Sequence, residues 1–103
     1  MKKTQHVDYM IIGQGLAGSA VALQLLKLRK RILVIDQPGH NTSSRIAAGL
    51  FNPITGRKML KTWMADKLVP YLHRHYLGVE ALTGTRFYYP LPLYRPFLSI
   101  EEQ

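Results

Sequence analysis

The chain has no cysteine. Disulfides, thiolate metal sites and a CxxC redox pair are therefore excluded from this stretch. Acidic residues are few, 6 Asp and Glu against 14 Lys and Arg, which leaves a formal charge of +8. A basic balance of that size is compatible with nucleic acid or an anionic membrane as partner. The cations are nevertheless scattered from Lys2 to Arg95. Their densest cluster, Arg29-Lys30-Arg31, falls where a helix would end, and the helix dipole alone favours cations there. Long apolar runs are missing too. The one near the start is cut by glycine at position 13, so it is neither a signal peptide nor a membrane span, and the cytoplasm is the default location. Repeats and low-complexity stretches are absent, and 103 residues give room for one small domain and its core.

What is present is concentrated near the start. Val7-Asp8-Tyr9-Met10-Ile11-Ile12 leads into Gly13-Gln14-Gly15-Leu16-Ala17-Gly18. The pattern predicts a strand, a tight turn at Gly13 and a helix starting within two residues of Leu16. Gly15 lets a pyrophosphate approach the backbone, and Gly18 lets the helix pack close to the strand. The free N–H groups at the helix start then face an anion, with the positive end of the dipole behind them. Ala17, Ala20, Val21, Leu23, Leu25, Leu26 and Leu28 give that helix a broad apolar face. Ile32-Leu33-Val34-Ile35 reads as a second, parallel strand buried on both faces. Asp36 closes it, 23 positions after Gly13. Its carboxylate suits the hydroxyls of an adenosine ribose and would repel a 2′-phosphate, which disfavours NADP. One departure is visible: Arg29-Lys30-Arg31 stands where a glycine would usually end the helix.

Gln37-Pro38-Gly39-His40-Asn41-Thr42 is a turn-rich loop. Ser43 or Ser44 is placed to cap a short helix over Arg45-Ile46-Ala47-Ala48, ended by Gly49. That arrangement brings hydroxyls and Arg45 toward phosphate oxygens, and small Ala47, Ala48 and Gly49 would admit a flat ring. Residues 58–82 read as helical, with Thr62 a possible cap and Pro70 a point of kinking or division. His73 and His75, two apart on a helix, point in different directions and read as surface or satisfied histidines. Thr83-Gly84 ends the helix. Arg86 to Tyr89 and Leu91 to Arg95 then read as short, half-buried strands carrying core aromatics.

Gly13 to Gly18, Asp36 and Ser43-Ser44-Arg45-Ile46-Ala47-Ala48-Gly49-Leu50 together resemble the start of a D-amino-acid oxidase-like FAD-dependent oxidoreductase. That family includes glycine and sarcosine oxidases, dimethylglycine dehydrogenase and the flavin domain that trims a modified uridine in tRNA. The resemblance is carried by residues 7–50 and fades beyond. It implies an α/β fold with a Rossmann-like FAD/NAD(P)-binding βαβ unit, followed by a helical segment and short strands. It implies a cofactor-binding set of Gly13, Gly15, Leu16, Ala17, Gly18, Asp36, Gln37, Ser43, Ser44, Arg45, Ala48 and Gly49. Some members attach FAD through a histidine just before Ala-Ala-Gly; Ile46 stands there, so FAD is expected to be non-covalent.

By the same resemblance, residues 1–83 are the N-terminal part of an FAD-binding domain and 84–103 the first strands of a substrate domain. The family completes its FAD domain far downstream, with a returning strand and a late Gly-Asp. This sequence has no Gly-Asp, and its last aspartate is Asp66. The expectation is an N-terminal portion of a longer enzyme, inactive and weak for FAD by itself. Its exposed sheet edge would be covered by the remainder of that chain or by self-association. In the complete enzyme, a small amine or amino acid would lose a hydride from the carbon beside its nitrogen. No residue here is assigned as acid or base. Two other readings stand beside this one: a non-catalytic dinucleotide-binding fragment, and part of a tRNA-modifying flavoprotein, which would use the positive charge.

Overall fold

The apolar runs on either side of the glycine turn pair as the two strands of a parallel sheet. In the computed structural model these are β1 (Tyr9–Ile12) and β2 (Ile32–Ile35), joined through helix α1 (Leu16–Lys27). Residues 4–37 and 39–102 are described; the Met1–Lys3 start, Pro38 and Gln103 lie outside them. The strands run in register, with Tyr9 beside Ile32, Met10 beside Leu33, Ile11 beside Val34 and Ile12 beside Ile35. Backbone bonds extend the ladder at both ends, Asp8 N–H to the Arg31 carbonyl at 2.8 Å and Gly13 N–H to that of Ile35 at 2.7 Å. The chain divides into two compact units at the junction of Leu50 and Phe51.

In the first unit, the single crossover helix corrects the expectation that β2 is buried on both faces. Ile11, Ile32 and Val34 are half-buried, whereas Met10, Ile12, Leu33 and Ile35 are exposed, Ile12 at 83%. Side chains alternate across a strand, so one helix covers only one of the two faces. The apolar face of α1 is likewise narrower than its composition suggests. Ala20, Leu23 and Leu25 are half-buried, while Ala17, Val21, Leu26 and Leu28 are exposed.

The turn after α1 works without glycine. Arg29 takes the left-handed conformation, φ 55°. Its N–H meets the Leu26 carbonyl at 2.9 Å, and Lys30 N–H meets that of Leu25 at 3.0 Å. This is the paired-bond pattern of a Schellman motif, formed on a residue that bears a Cβ. Arg31, next in line, forks onto Asp8 with Nη2 to Oδ1 at 3.0 Å and Nε to Oδ2 at 3.3 Å. Thus the basic cluster also ties the starts of β1 and β2 together.

The second unit departs further from the sequence expectations. Ile54–Thr55 (β3) and Leu60–Lys61 (β4) pair antiparallel. Helix α3 therefore spans Ala65–Thr83, and residues 58–64 do not join it. Gly56 at φ 79° turns the chain back, and Thr62 N–H closes the hairpin on the Pro53 carbonyl at 2.7 Å. The lead-in to α3 uses no Thr62 side-chain cap; left-handed Met64 precedes the helix. Pro70 lies inside α3 without dividing it, because its exposed ring removes only one ladder bond. Gly84 at φ 66° ends the helix and donates its N–H to the Glu80 carbonyl at 2.8 Å.

Residues 85–97 hold no strand, contrary to expectation at Arg86–Tyr89 and Leu91–Arg95. Pro90, Pro92 and Pro96 lack the N–H that a ladder needs. The N–H groups of Phe87 and Tyr88 are taken instead by Glu80 Oε1, both at 2.7 Å. These bonds hold the Glu80 carboxyl below its ordinary range, with Arg86 adding to the effect. Tyr88 stacks on Tyr76 with centroids 5.1 Å apart, and Phe87 meets Tyr76 edge-on at 6.0 Å. The segment is thus a strap docked along α3. Tyr88 is half-buried, while Tyr89, Leu91, Leu93 and Tyr94 are exposed.

Among the described residues Ala65 alone is buried. The chain exposes 9691 Å². Even two separately folded units of half its mass would together show only about 7,100 Å². Much apolar surface that a small domain ordinarily buries therefore stays in solvent. Among the described residues, no helix is long and apolar enough to cross a membrane.

Candidate functional site

β1 runs out at Ile12, and the chain must reverse within three residues to start α1 above the same sheet. Gly13 makes this possible at φ 99°, a conformation that strains any residue with a Cβ. Its N–H, bonded to the Ile35 carbonyl, anchors the turn to the end of β2, immediately before Asp36. Gly18 serves a different need. A Cβ there would lie 2.0 Å from the Gly13 carbonyl oxygen and 3.5 Å from Ile11 Cγ2. Helix and turn touch backbone to backbone.

The first turn of α1 leaves amides that the helix itself does not use. Its first hydrogen bond runs from Ser19 N–H to the Gly15 carbonyl at 2.9 Å, so the amides of Leu16, Ala17 and Gly18 have no partner within the helix. Two side chains from distant segments reach this turn. Asp36 Oδ1 accepts from Gln14 N–H at 3.1 Å, and Ser44 Oγ accepts from Leu16 N–H at 2.9 Å. Ser19 Oγ donates to the Gln14 carbonyl at 3.3 Å. Side chains and backbone thus tie the Gln14–Gly15 turn to the end of β2 and to the segment after the loop.

Around these contacts lies a cavity of about 500 Å³, lined by Gln14, Gly15, Ser19, Asp36, Gly39, Thr42, Ser43, Ser44 and Arg45. The structure brings together Gly15, Asp36, Ser43, Ser44 and Arg45 from the set named by sequence. Gly13, Leu16, Ala17, Gly18, Gln37, Ala48 and Gly49 are not among the lining residues. Gly13 and Gly18 instead shape the turn, and Leu16 contributes its N–H. Gln14, Ser19, Gly39 and Thr42 were not singled out by sequence. Ser19 was open to discovery, since it lies one helical turn beyond Gly15. Gly39 and Thr42 carried no signal beyond a turn-rich loop.

The short helix is also displaced from its expected place. It is α2 (Ser43–Ile46), preceded by Thr42 at the cap position with no side-chain cap bond. Ser43 and Ser44 therefore sit in its first turn instead of capping it. Arg45 and Ile46 N–H groups close on the Thr42 carbonyl at 2.9 and 3.1 Å. Ala47 follows in extended conformation, so the helix ends before Ala48 and Gly49.

The cavity is lined mainly by polar groups. It offers one carboxylate, one guanidinium and several hydroxyls beside the Gln14–Gly15 turn, all suited to a phosphorylated, hydroxyl-rich ligand. In the second unit, His73 Nδ1 is hydrogen-bonded to the Tyr88 hydroxyl, and His75 stacks on Tyr71 with centroids 6.1 Å apart. His73 is thus satisfied within its own unit. Among the described residues, no three His, Asp or Glu side chains converge as metal ligands. No protein-family model matches the chain, and no solved structure matches it.

Proposed function

We propose that residues 7–50 bind an adenine dinucleotide non-covalently, and that the ligand is FAD. On this reading the chain is the N-terminal, Rossmann-like FAD-binding part of a flavin-dependent oxidoreductase acting on an amine or amino-acid C–N bond. The observation that carries it is the convergence of the Gln14–Gly15 turn, Ser19, Asp36 and Arg45 on one cavity. The donor set fits the ligand. The Arg45 guanidinium and the hydroxyls of Ser19, Thr42, Ser43 and Ser44 suit a pyrophosphate. Asp36 holds Gln14 N–H through Oδ1, which leaves Oδ2 for ribose hydroxyls. A 2′-phosphate would meet that carboxylate and be repelled. When bound, flavin supplies a hydride acceptor for the carbon beside a substrate nitrogen. The contribution of this unit is to hold and orient the adenosine end.

Calorimetric titration with FAD and ADP-ribose tests the reading. Asp36→Ala is expected to weaken binding of both ligands by roughly 1–3 kcal/mol, the scale of a charge-assisted hydrogen bond. Unchanged affinity would reduce Asp36 to a turn residue and remove the ribose assignment.

A further inference from the structure

We propose that Ser44 is a built-in stand-in for the ligand: its hydroxyl holds a donor of the α1 start until a phosphate oxygen displaces it. This rests on the dinucleotide reading above and names how that site opens. The contact is direct and long-range, Leu16 N–H to Ser44 Oγ at 2.9 Å across 28 residues. Gly15 makes room for it, since a Cβ there would stand 2.9 Å from Ser44 Oγ. Among the described residues, the one contact in which this hydroxyl accepts a bond is thus to α1, and the Thr42 side chain makes no cap bond to α2. Nor is α2 clamped by packing: Ser43, Ser44, Arg45 and Ile46 are all exposed, Ile46 at 67%. A charged phosphate oxygen makes a bond roughly twice as strong as a neutral hydroxyl at the same amide. Ser44 therefore satisfies Leu16 in the free protein and yields to the stronger acceptor. Ligand capture is coupled to release of α2.

Wild type, Ser44→Ala and Ser44→Thr are titrated with inorganic pyrophosphate and with FAD, and Leu16 amide exchange is followed by NMR. Without ligand, Leu16 should exchange about fivefold faster in Ser44→Ala, the scale of one net hydrogen bond. Ser44→Ala should also bind pyrophosphate about fivefold tighter, because no hydroxyl competes. Ser44→Thr should match wild type. In wild type itself, pyrophosphate should shift the Ser44 Cβ resonance, and an unmoved resonance overturns the latch. Equal or weaker pyrophosphate binding by Ser44→Ala also overturns it and makes Ser44 a ligand donor or a bystander. If FAD binds to none of the three while the pyrophosphate pattern holds, the dinucleotide reading falls and the latch stands.

Discussion

Replacing Gly18 by alanine sets local propensity against tertiary packing. In a helix interior alanine is favoured over glycine by about 1 kcal/mol, so propensity alone makes Gly18→Ala stabilising. The surroundings oppose it. The new Cβ would sit 2.0 Å from the Gly13 carbonyl oxygen and 3.0 Å from its carbon, where ordinary contact begins at 3.4 Å. The gap must open by about 1.4 Å, and both sides of it are backbone. Gly13 cannot simply withdraw, because its N–H is bonded to the Ile35 carbonyl at 2.7 Å. Overpacking of this kind costs about 1–3 kcal/mol, and contact with backbone belongs at the upper end. Net of the propensity gain, Gly18→Ala should lose about 1–2 kcal/mol. Urea unfolding followed by circular dichroism reads this as a lower midpoint at unchanged slope. Ala22→Gly, expected to lose about 1 kcal/mol, calibrates the propensity contribution in the same helix. A Gly18→Ala midpoint at or above wild type would refute the close-contact reasoning. The same lift of α1 from the turn should weaken dinucleotide binding, since it displaces Gly15 and Ser19 at the cavity wall.

Arg29→Gly should act in the opposite direction. It relieves a left-handed residue in a Schellman turn and should stabilise by about 1 kcal/mol, read as a higher thermal midpoint; no rise would mean that Arg29 carries no strain. The Asp8–Arg31 latch predicts acid sensitivity. Arg31, through its side-chain and backbone hydrogen bonds, lowers the Asp8 carboxyl from an ordinary 3.8 to about 2. A folded-state value below the unfolded one means that this stabilisation is present above pH 3.8 and is lost as pH falls through about 2. The stability gap between wild type and Asp8→Asn should therefore narrow across that window, and a gap undiminished at pH 2 would remove the ion pair as its cause.

Residues 7–36 were the legible part of the fold. Strand, turn, helix and strand each follow from patterns that act within a dozen residues. These are short continuous apolar runs, glycine where φ must be positive, and 3.6-residue spacing after Leu16. The second unit was less legible for a definite reason. Leu60 and Met64 fit a helical spacing, but Gly56 returns the chain so that Leu60–Lys61 pairs with Ile54–Thr55. Periodicity cannot register that competition. Likewise, aromatic alternation at Arg86–Tyr89 suggested a strand, and the glutamate that captures those amides lies a full helical turn before the helix end.

The site divides along the same line. Sequence alone determined that a glycine turn, a helix start and an acid at a strand end would occur, because each depends on its own neighbours. Tertiary structure alone decided that Ser44 reaches Leu16 and that Asp36 closes on Gln14, across 28 and 22 residues. Such contacts depend on where a loop returns, and a turn-rich loop specifies no single return path. The same holds for the open sheet face: composition makes β2 apolar on both sides, but only the placement of one helix leaves Ile12 and Ile35 in solvent.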